Sequence, residues 1–295
     1  MCTNHCNIDK KELIIAANTG DADAQFKLGA LYEEEGDLVQ AKHFLDLAIA
    51  QDHLDAQNLL GVMQAEGGDL EQAEKTFLTA VEKGCKNSLY HLGILYTQQE
   101  NPDKAKHYLE IAAKEGNVQA LNFLGELYLE EENNEKAEHY YKLSAELGDV
   151  TALNSLGIMY WEAGDAKKSM ECFHLAAEAN DADAQFCLAS IYMESGDAAK
   201  AKDFCHRAAD QGLPEAQAYL GAMYQEEGNI DKAKHYLTLS AEHGDELAQC
   251  TLGALYAMEG NVAKSKEYYQ LAADQDSEIA IDALKLFDTI ESAKQ

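Results

Sequence analysis

Apolar positions along the chain recur with the period of an α-helix, and short glycine-containing turns interrupt them at regular intervals. The stretch Asn101–Gly125, NPDKAKHYLEIAAKEGNVQALNFLG, shows one complete unit. Asn101 is a typical N-cap residue, and Pro102 is favoured at the first helical position. Gly116 can end this helix in the left-handed conformation, and Asn117 can cap a second helix. Apolar residues fall on one face of each helix, namely Ala105, Tyr108, Ala112 and Ala113 in the first and Ala120, Leu124, Leu127 and Tyr128 in the second. The pattern predicts a helix, a tight turn and a second helix.

This unit repeats every 32 residues along the whole chain. One core position of the first helix is always leucine: Leu28, Leu60, Leu92, Leu124, Leu156, Leu188, Leu220 and Leu252. The next position is Gly29, Gly61, Gly93, Gly125, Gly157, Ala189, Gly221 and Gly253. A fixed period of this length indicates a solenoid of stacked helix pairs. Because a glycine inside a helix costs about 1 kcal/mol relative to alanine, we expect these glycines to lie where the backbone of a neighbouring helix leaves no room for a side chain.

The repeats divide the chain into three parts. Residues 1–20 hold an N-terminal tail and a cap helix, residues 21–276 hold eight full repeats, and residues 277–295 form a C-terminal cap helix. We expect eighteen helices in one continuous array, because each repeat of a solenoid contacts only its neighbours. The predicted fold class is an all-α solenoid of helix-turn-helix repeats.

The run from Ala112 to Gly125, AAKEGNVQALNFLG, resembles the signature of the Sel-1-like repeat family, a branch of the tetratricopeptide repeat superfamily. The resemblance extends from about Ile8 to Ile290. Sel-1-like repeats usually have a longer loop between their two helices, whereas turns such as Gly36-Asp37 are as short here as in tetratricopeptide repeats. Both families imply a right-handed superhelix, with the first helices lining its concave face, and binding of a protein partner.

The face that the first helices are expected to line is strongly acidic, in a chain whose net charge is −30. Its acidic residues are Asp23, Glu33, Glu34, Asp55, Glu66, Glu126, Glu130, Glu162, Asp183, Glu194, Glu215 and Glu226. Lys27 is the only lysine or arginine at these positions, and the other lysines collect on the second helices. We therefore expect a negative concave groove that binds a basic segment of a protein or peptide.

Large and hydrogen-bonding side chains are set between these carboxylates. The candidate partner-binding residues are Asn58, Tyr90, His91, Asn122, Phe123, Glu126, Glu130, Asn154, Trp161, Glu162, Phe186, Glu194, Tyr219 and Glu226. Asparagine amides can donate to and accept from a peptide backbone, and tryptophan is enriched at interface hot spots. Two alternatives stay open. The first is that the acidic residues serve solubility and stabilise the nearby N-termini of the second helices through the helix dipole. The second is that Trp161 packs on its neighbours, which explains that residue equally well.

Motifs for other chemistry are absent from the sequence. It contains no Gly-x-x-x-x-Gly-Lys loop, no His-Glu-x-x-His and no Gly-x-Ser-x-Gly, so we expect neither an enzyme nor a cofactor. Cys2, His5 and Cys6 lack a second pair of ligands nearby, and we expect no metal site there. The seven cysteines do not recur with the repeat, which favours free thiols and a reducing compartment.

The charge and the apolar pattern also bear on partners and location. Nucleic acids and anionic membranes require a basic surface, and the predicted groove has the opposite sign. No apolar run approaches ~18 residues, and the N-terminus lacks the pattern of a signal peptide. We expect a cytoplasmic monomer, while export by a signal-independent secretion system stays open.

Two functions are compatible with these features. The first is a non-enzymatic scaffold or adaptor that holds a basic partner segment in the acidic groove, as the family resemblance implies. The second is an inhibitor, an immunity-type protein or a nucleic-acid mimic that blocks the basic active site of an enzyme. Both need an acidic binding surface, so the sequence does not separate them.

Overall fold

The computed structural model describes residues 3–294, with side chains for residues 10–290 and 292. Between Thr3 and Lys294 the chain forms eighteen α-helices joined by short turns, which confirms the all-α prediction. The helices are α1 (Thr3–Asn18), α2 (Ala22–Glu34), α3 (Leu38–Ile49), α4 (Leu54–Glu66), α5 (Leu70–Glu82), α6 (Asn87–Gln98), α7 (Pro102–Lys114), α8 (Val118–Glu130), α9 (Asn134–Glu146), α10 (Val150–Glu162), α11 (Ala166–Glu178), α12 (Ala182–Glu194), α13 (Ala198–Asp210), α14 (Pro214–Glu226), α15 (Ile230–Glu242), α16 (Glu246–Met258), α17 (Val262–Ala273) and α18 (Glu278–Lys294). The even-numbered helices α2 to α16 are the first helices of the repeats.

The helices group into two compact units, one ending at Asp149 and the other beginning at Val150. Within each unit every helix packs against the next one along the chain. In the first unit the first helices of successive repeats also contact one another, α2 with α4, α4 with α6 and α6 with α8. This consecutive packing of helix pairs is that of an α-solenoid, as predicted. The expected division into a cap helix, eight repeats and a second cap helix in one array stays a prediction.

The turns form as the capping residues predict. The side chain of Asn101 accepts a hydrogen bond from the backbone N–H three residues further on, at 3.3 Å, and Pro102 begins α7. Gly116 adopts the left-handed conformation with a φ of 83°. Asn117 accepts a hydrogen bond from the backbone N–H of Ala120 at 2.7 Å and so caps α8. Helix starts and stops therefore depend on local chemistry, which fixes the length of each repeat.

The repeated glycines lie against side chains of the second helix of the same repeat. A Cβ atom on Gly157 would lie 2.6 Å from the ring of Phe173, and one on Gly61 would lie 2.5 Å from the ring of Phe77. Both distances are far inside van der Waals contact, so the glycines are close-packing positions. The expectation that a backbone occupies this space was wrong, because the nearest atoms belong to the facing core side chain.

Ala189 takes the glycine position in one repeat, and the residue facing it differs accordingly. In that repeat the facing position holds Cys205, and both residues are fully buried in one core cluster. In the repeats that carry glycine, the facing residues are Leu45, Phe77, Leu109, Tyr141, Phe173, Leu237 and Tyr269. The smaller thiol leaves room for the alanine methyl group, so the two positions vary together in volume.

Lysines on the second helices are held against the tyrosines and carboxylates of neighbouring helices. The ammonium group of Lys202 lies 2.7 Å from a carboxylate oxygen of Glu227 and 4.0 Å from the ring centroid of Tyr224. Lys234 has the same arrangement one repeat later, 2.7 Å from Glu259. Such lysines link successive repeats, so their positive charge is already matched within the chain.

Metal, thiol and membrane chemistry can be judged for the described residues alone. Among them no group of three His, Cys, Asp or Glu side chains is placed to hold a metal ion. Cys2 and the side chains of His5 and Cys6 lie outside the described part of the chain. Cys85, Cys187, Cys205 and Cys250 are free thiols. In the same part of the chain, no helix has the length and apolarity needed to cross a membrane.

Candidate functional site

The candidate partner-binding residues all lie on first helices. In the first unit Asn58 is on α4, Tyr90 and His91 are on α6, and Asn122, Phe123, Glu126 and Glu130 are on α8. In the second unit Asn154, Trp161 and Glu162 are on α10, Phe186 and Glu194 on α12, and Tyr219 and Glu226 on α14. The set therefore lies on successive first helices within each unit.

The three asparagine amides already have partners within the chain. Asn122 and Asn154 each donate through Nδ2 to the aspartate at the start of the next first helix, Asp149 and Asp181, at 2.5 and 2.8 Å. The Oδ1 of Asn58 accepts from a serine hydroxyl on α6 at 2.8 Å. Asn58 and Asn154 thus link consecutive first helices within their units. A partner would have to compete with these bonds, which disfavours the expected role of the amides as open peptide contacts.

Tyr90 and His91 form an aromatic pair in the first unit. Their ring centroids are 5.3 Å apart in an edge-on arrangement, and His91 also stacks on Phe77 at 5.6 Å. Burial lowers the pKa of His91, so the imidazole is neutral near pH 7. Partial burial, together with the charge of Glu126, raises the pKa of Tyr90, which places that carboxylate close to the pair. The pair offers an aromatic surface beside a negative charge.

Glu126 and Glu130 lie one helical turn apart at the exposed surface of α8. Partial burial and the charge of Glu130 raise the pKa of Glu126 above its ordinary value. Like charges at this spacing repel each other, and neither carboxylate forms an ion pair with a lysine or arginine that the structure describes. A cation bound here would relieve that repulsion. Phe123 lies half-buried on the same helix.

The second unit holds an apolar cavity of about 240 Å³ between α10 and α12. Its lining residues are Ile158, Trp161, Glu162, Phe173, Phe186, Cys187, Ser190, Ile191 and Glu194. Four candidates, Trp161, Glu162, Phe186 and Glu194, thus meet at one place. Phe186 also meets Tyr219 edge-on at 5.9 Å. Burial raises the pKa of Tyr219, and the charges of nearby groups, including Glu226, add to the effect.

A cavity of about 290 Å³ occupies the equivalent place in the first unit. Every one of its lining residues lies 96 positions before its counterpart, which is three repeats: Val62, Ala65, Glu66, Phe77, Tyr90, His91, Ile94, Leu95 and Gln98. Ala65 replaces Trp161, His91 replaces Cys187, and Gln98 replaces Glu194. The repeat therefore provides the same recess twice, and the sequence gives the two recesses different chemistry.

Several lining residues were missing from the candidates. The repeat spacing predicts six groove positions on each first helix, those equivalent to Asp23, Phe26, Lys27, Ala30, Glu33 and Glu34. Ile158 and Ser190 occupy the position of Ala30, and Cys187 occupies that of Lys27, so the spacing includes all three. Selecting candidates by aromatic, amide and acidic chemistry excluded the aliphatic, hydroxyl and thiol groups.

The fold defines an α-helical repeat protein built from helix pairs. Six segments match the Sel1 repeat, residues 22–53, 54–76, 150–181, 182–213, 214–245 and 246–277. Residues 90–149 match a tetratricopeptide repeat. Because the Sel1 segments cover more than half of the chain, it belongs to the Sel1 repeat family. Repeats of these two kinds are generally protein-interaction modules and are typically non-catalytic.

Solved structures show the same architecture. The Sel1 repeat protein from Oxalobacter formigenes is 26% identical with a TM-score of 0.71, over 94% of this chain and 90% of that one. Yeast Tom70 is 14% identical with a TM-score of 0.53, over 93% of this chain and 59% of its own. PilF of Pseudomonas aeruginosa is 16% identical with a TM-score of 0.52, over 74% and 97%. Likeness to the last two concerns the fold alone. The comparison with curated proteins gave no match.

Proposed function

We propose that this protein is a non-enzymatic scaffold that binds a positively charged segment of a protein partner along its first helices. The single observation that carries the proposal is the uneven pairing of charge. Carboxylates on the first helices lack basic partners, whereas lysines elsewhere have acidic ones. The membership of a family of interaction modules supports the same function.

Fifteen of the twenty-one lysines whose side chains the structure describes pair with carboxylates other than the twelve acidic residues of the expected groove. The lysine–carboxylate pairs are Lys10–Glu35, Lys42–Asp46, Lys75–Glu71, Lys83–Asp52, Lys86–Glu115, Lys104–Glu74, Lys106–Glu131, Lys142–Glu138, Lys167–Glu171, Lys168–Asp165, Lys200–Asp197, Lys202–Glu227, Lys234–Glu259, Lys266–Asp288 and Lys285–Asp282. Lys136, Lys232 and Lys264 lie over tyrosine rings. The chain thus has little basic charge left for its own first helices.

The twelve acidic residues at the positions expected to face the groove are in the opposite situation. Among the described residues only Asp23 has a basic neighbour, the imidazole of His53 at 3.1 Å. The last residue of a first helix is often a glutamate, as at Glu130 and Glu162, where the negative end of the helix dipole adds to the potential. A basic segment would supply the missing counter-charge and would be steered to this face before contact.

Affinity purification from the native host with two charge-reversed variants tests the proposal. One variant carries Glu126→Lys, Glu130→Lys and Glu162→Lys on first helices. The control carries Glu82→Lys, Glu146→Lys and Glu178→Lys, three exposed carboxylates at the ends of second helices, and has the same net charge. We expect the wild-type and control proteins to capture the same partners and the first variant to lose them. Equal capture by both variants would place the binding surface elsewhere.

A further inference from the structure

The cavity beside Trp161 offers apolar surface that the chain itself leaves uncovered. Trp161 is 41% exposed and Ile158 is 50% exposed, one turn apart on α10. Phe186 and Ile191 on α12 line the recess from the other side, and Phe173 on α11 also contributes. A tryptophan beside a preformed recess is the type of residue that dominates binding energy at protein interfaces.

The dimensions of the recess match one large apolar side chain. An apolar cavity of roughly 150 Å³ is enough to bind benzene, and this recess measures about 240 Å³. The thiol of Cys187 forms part of its wall. Burial, together with the charges of Asp183 and Asp181, raises the pKa of this thiol, so it stays neutral and presents an apolar surface.

Two carboxylates flank the recess. Glu162 and Glu194 are the last residues of α10 and α12, and both side chains are exposed. Neither has a hydrogen bond or an ion pair with any residue that the structure describes. Each lies at the negative end of its helix dipole. A cation at the mouth of the recess would therefore be attracted by two carboxylates and two helix ends.

We propose that this recess is an anchor site for one phenylalanine-like or leucine-like side chain of a partner segment, with a lysine or arginine directly beside that residue. The inference rests on the proposed function and adds the class of anchor and its place in the second unit. The equivalent recess of the first unit has alanine in place of the tryptophan and glutamine in place of one glutamate. It lacks the features that select this anchor and supplies an internal control.

Three capped peptides of equal length test the inference, with Lys-Phe-Lys, Lys-Ala-Lys or Glu-Phe-Glu at the centre. Each is titrated into the full chain, and binding is followed by anisotropy of a label on the peptide. Emission from Trp161, the only tryptophan, reports independently on the recess. We expect the Lys-Phe-Lys peptide to bind at least about tenfold more tightly than the other two and to change the tryptophan emission.

Variants locate the binding to the recess. Trp161→Ala removes the anchor surface, and Ser190→Leu fills the recess while keeping the tryptophan. We expect each substitution to weaken binding of the Lys-Phe-Lys peptide at least about tenfold. The melting temperature of each variant should stay close to that of the wild type. Glu82→Gln at the end of α5 and Leu175→Ala on α11, both at exposed positions of second helices, should leave its affinity unchanged.

The outcomes separate this inference from the proposed function. Equal affinity of the Lys-Ala-Lys and Lys-Phe-Lys peptides would overturn the anchor site and leave a basic partner in place. Equal affinity of the Glu-Phe-Glu peptide would overturn both. The anchor site would also be overturned if none of the three peptides bound at millimolar concentration, or if folded Trp161→Ala kept the affinity of the wild type. The affinity purification described above would still decide the charge of the partner.

Discussion

The pairing of Ala189 with Cys205 predicts that two substitutions, each harmful alone, are tolerated together. Cys205→Leu adds volume to a fully buried site, which typically costs ~1–3 kcal/mol. Ala189→Gly costs about 1 kcal/mol in helix propensity and removes one buried methyl group, worth roughly 0.8 kcal/mol. If the two effects were independent, the double variant would lose on the order of 3–5 kcal/mol.

Three other repeats contain the glycine–leucine combination that the double variant creates. Gly29 faces Leu45, Gly93 faces Leu109 and Gly221 faces Leu237. In the double variant the leucine can therefore occupy the space that the alanine methyl group vacates. We expect its stability to lie within about 1 kcal/mol of the wild type, which corresponds to a coupling energy of at least about 2 kcal/mol.

Urea unfolding and thermal melts of the wild type, both single variants and the double variant measure this coupling. With roughly 2–4 °C per kcal/mol, an additive double variant would melt on the order of 10 °C below the wild type. Ala199→Gly, at an exposed position of α13, serves as the control for helix propensity alone. A double variant that melts at the additive temperature would refute the idea that the two positions share one volume.

Three further outcomes follow from the contacts described above. Lys234 lies 2.7 Å from Glu259 and over the ring of Tyr256. Lys234→Leu should therefore lower the free energy of unfolding, measured by urea titration, by about 0.5–1.5 kcal/mol, and the loss should be smaller at high salt. An unchanged urea midpoint would contradict this. Glu126→Gln should stabilise the protein at pH 7 but not in acid. A carboxyl whose pKa is raised in the folded state favours folding at low pH. That contribution is lost as the pH rises above 4.5, the ordinary pKa of a glutamate. Urea unfolding of the variant and the wild type at pH 7 and below pH 4 measures the sign of the stability difference. Burial raises the pKa of Cys205 to about 12, so the thiol should not react in the native protein. After treatment with a maleimide at pH 8, mass spectrometry should find Cys205 unmodified in the native protein and modified in urea. Rapid labelling of the native protein would contradict this and would show that the core opens.

The helices could be predicted from the sequence because their signals are local. The N-cap and turn chemistry at Asn101, Gly116 and Asn117 acts within a few residues, and the 32-residue period repeats it. The glycine positions could be recognised as packing sites for the same reason. The sequence did not reveal what fills the space opposite Gly157, because that space is filled by Phe173, a side chain of another helix.

Spacing along the repeat could bring candidate residues together, but it could not show their contacts. It assigned Trp161 and Glu162 to the same face, and both line the recess between α10 and α12. It did not show that Asn122 is bonded to Asp149, since that contact joins side chains in two repeats. Nor did it show that Lys234 contacts Glu259 of the neighbouring repeat, because the repeat period places lysines on the second helices without showing what they contact. Interactions between repeats depend on side-chain length and volume, which the repeat period does not encode.

Association kinetics at increasing salt concentration test the central claim, that the acidic first helices bind a basic segment, most directly. The captured partner is measured against the wild type, the Glu126→Lys, Glu130→Lys and Glu162→Lys variant, and the matched control with reversed charges on second helices. Electrostatic steering is screened over ~8 Å at physiological salt, so we predict that association with the wild type and the control slows as salt rises. The first variant should associate slowly at every salt concentration, and Trp161→Ala should act mainly on dissociation. Salt-independent association with the wild type, or full affinity of the first variant, would contradict the account.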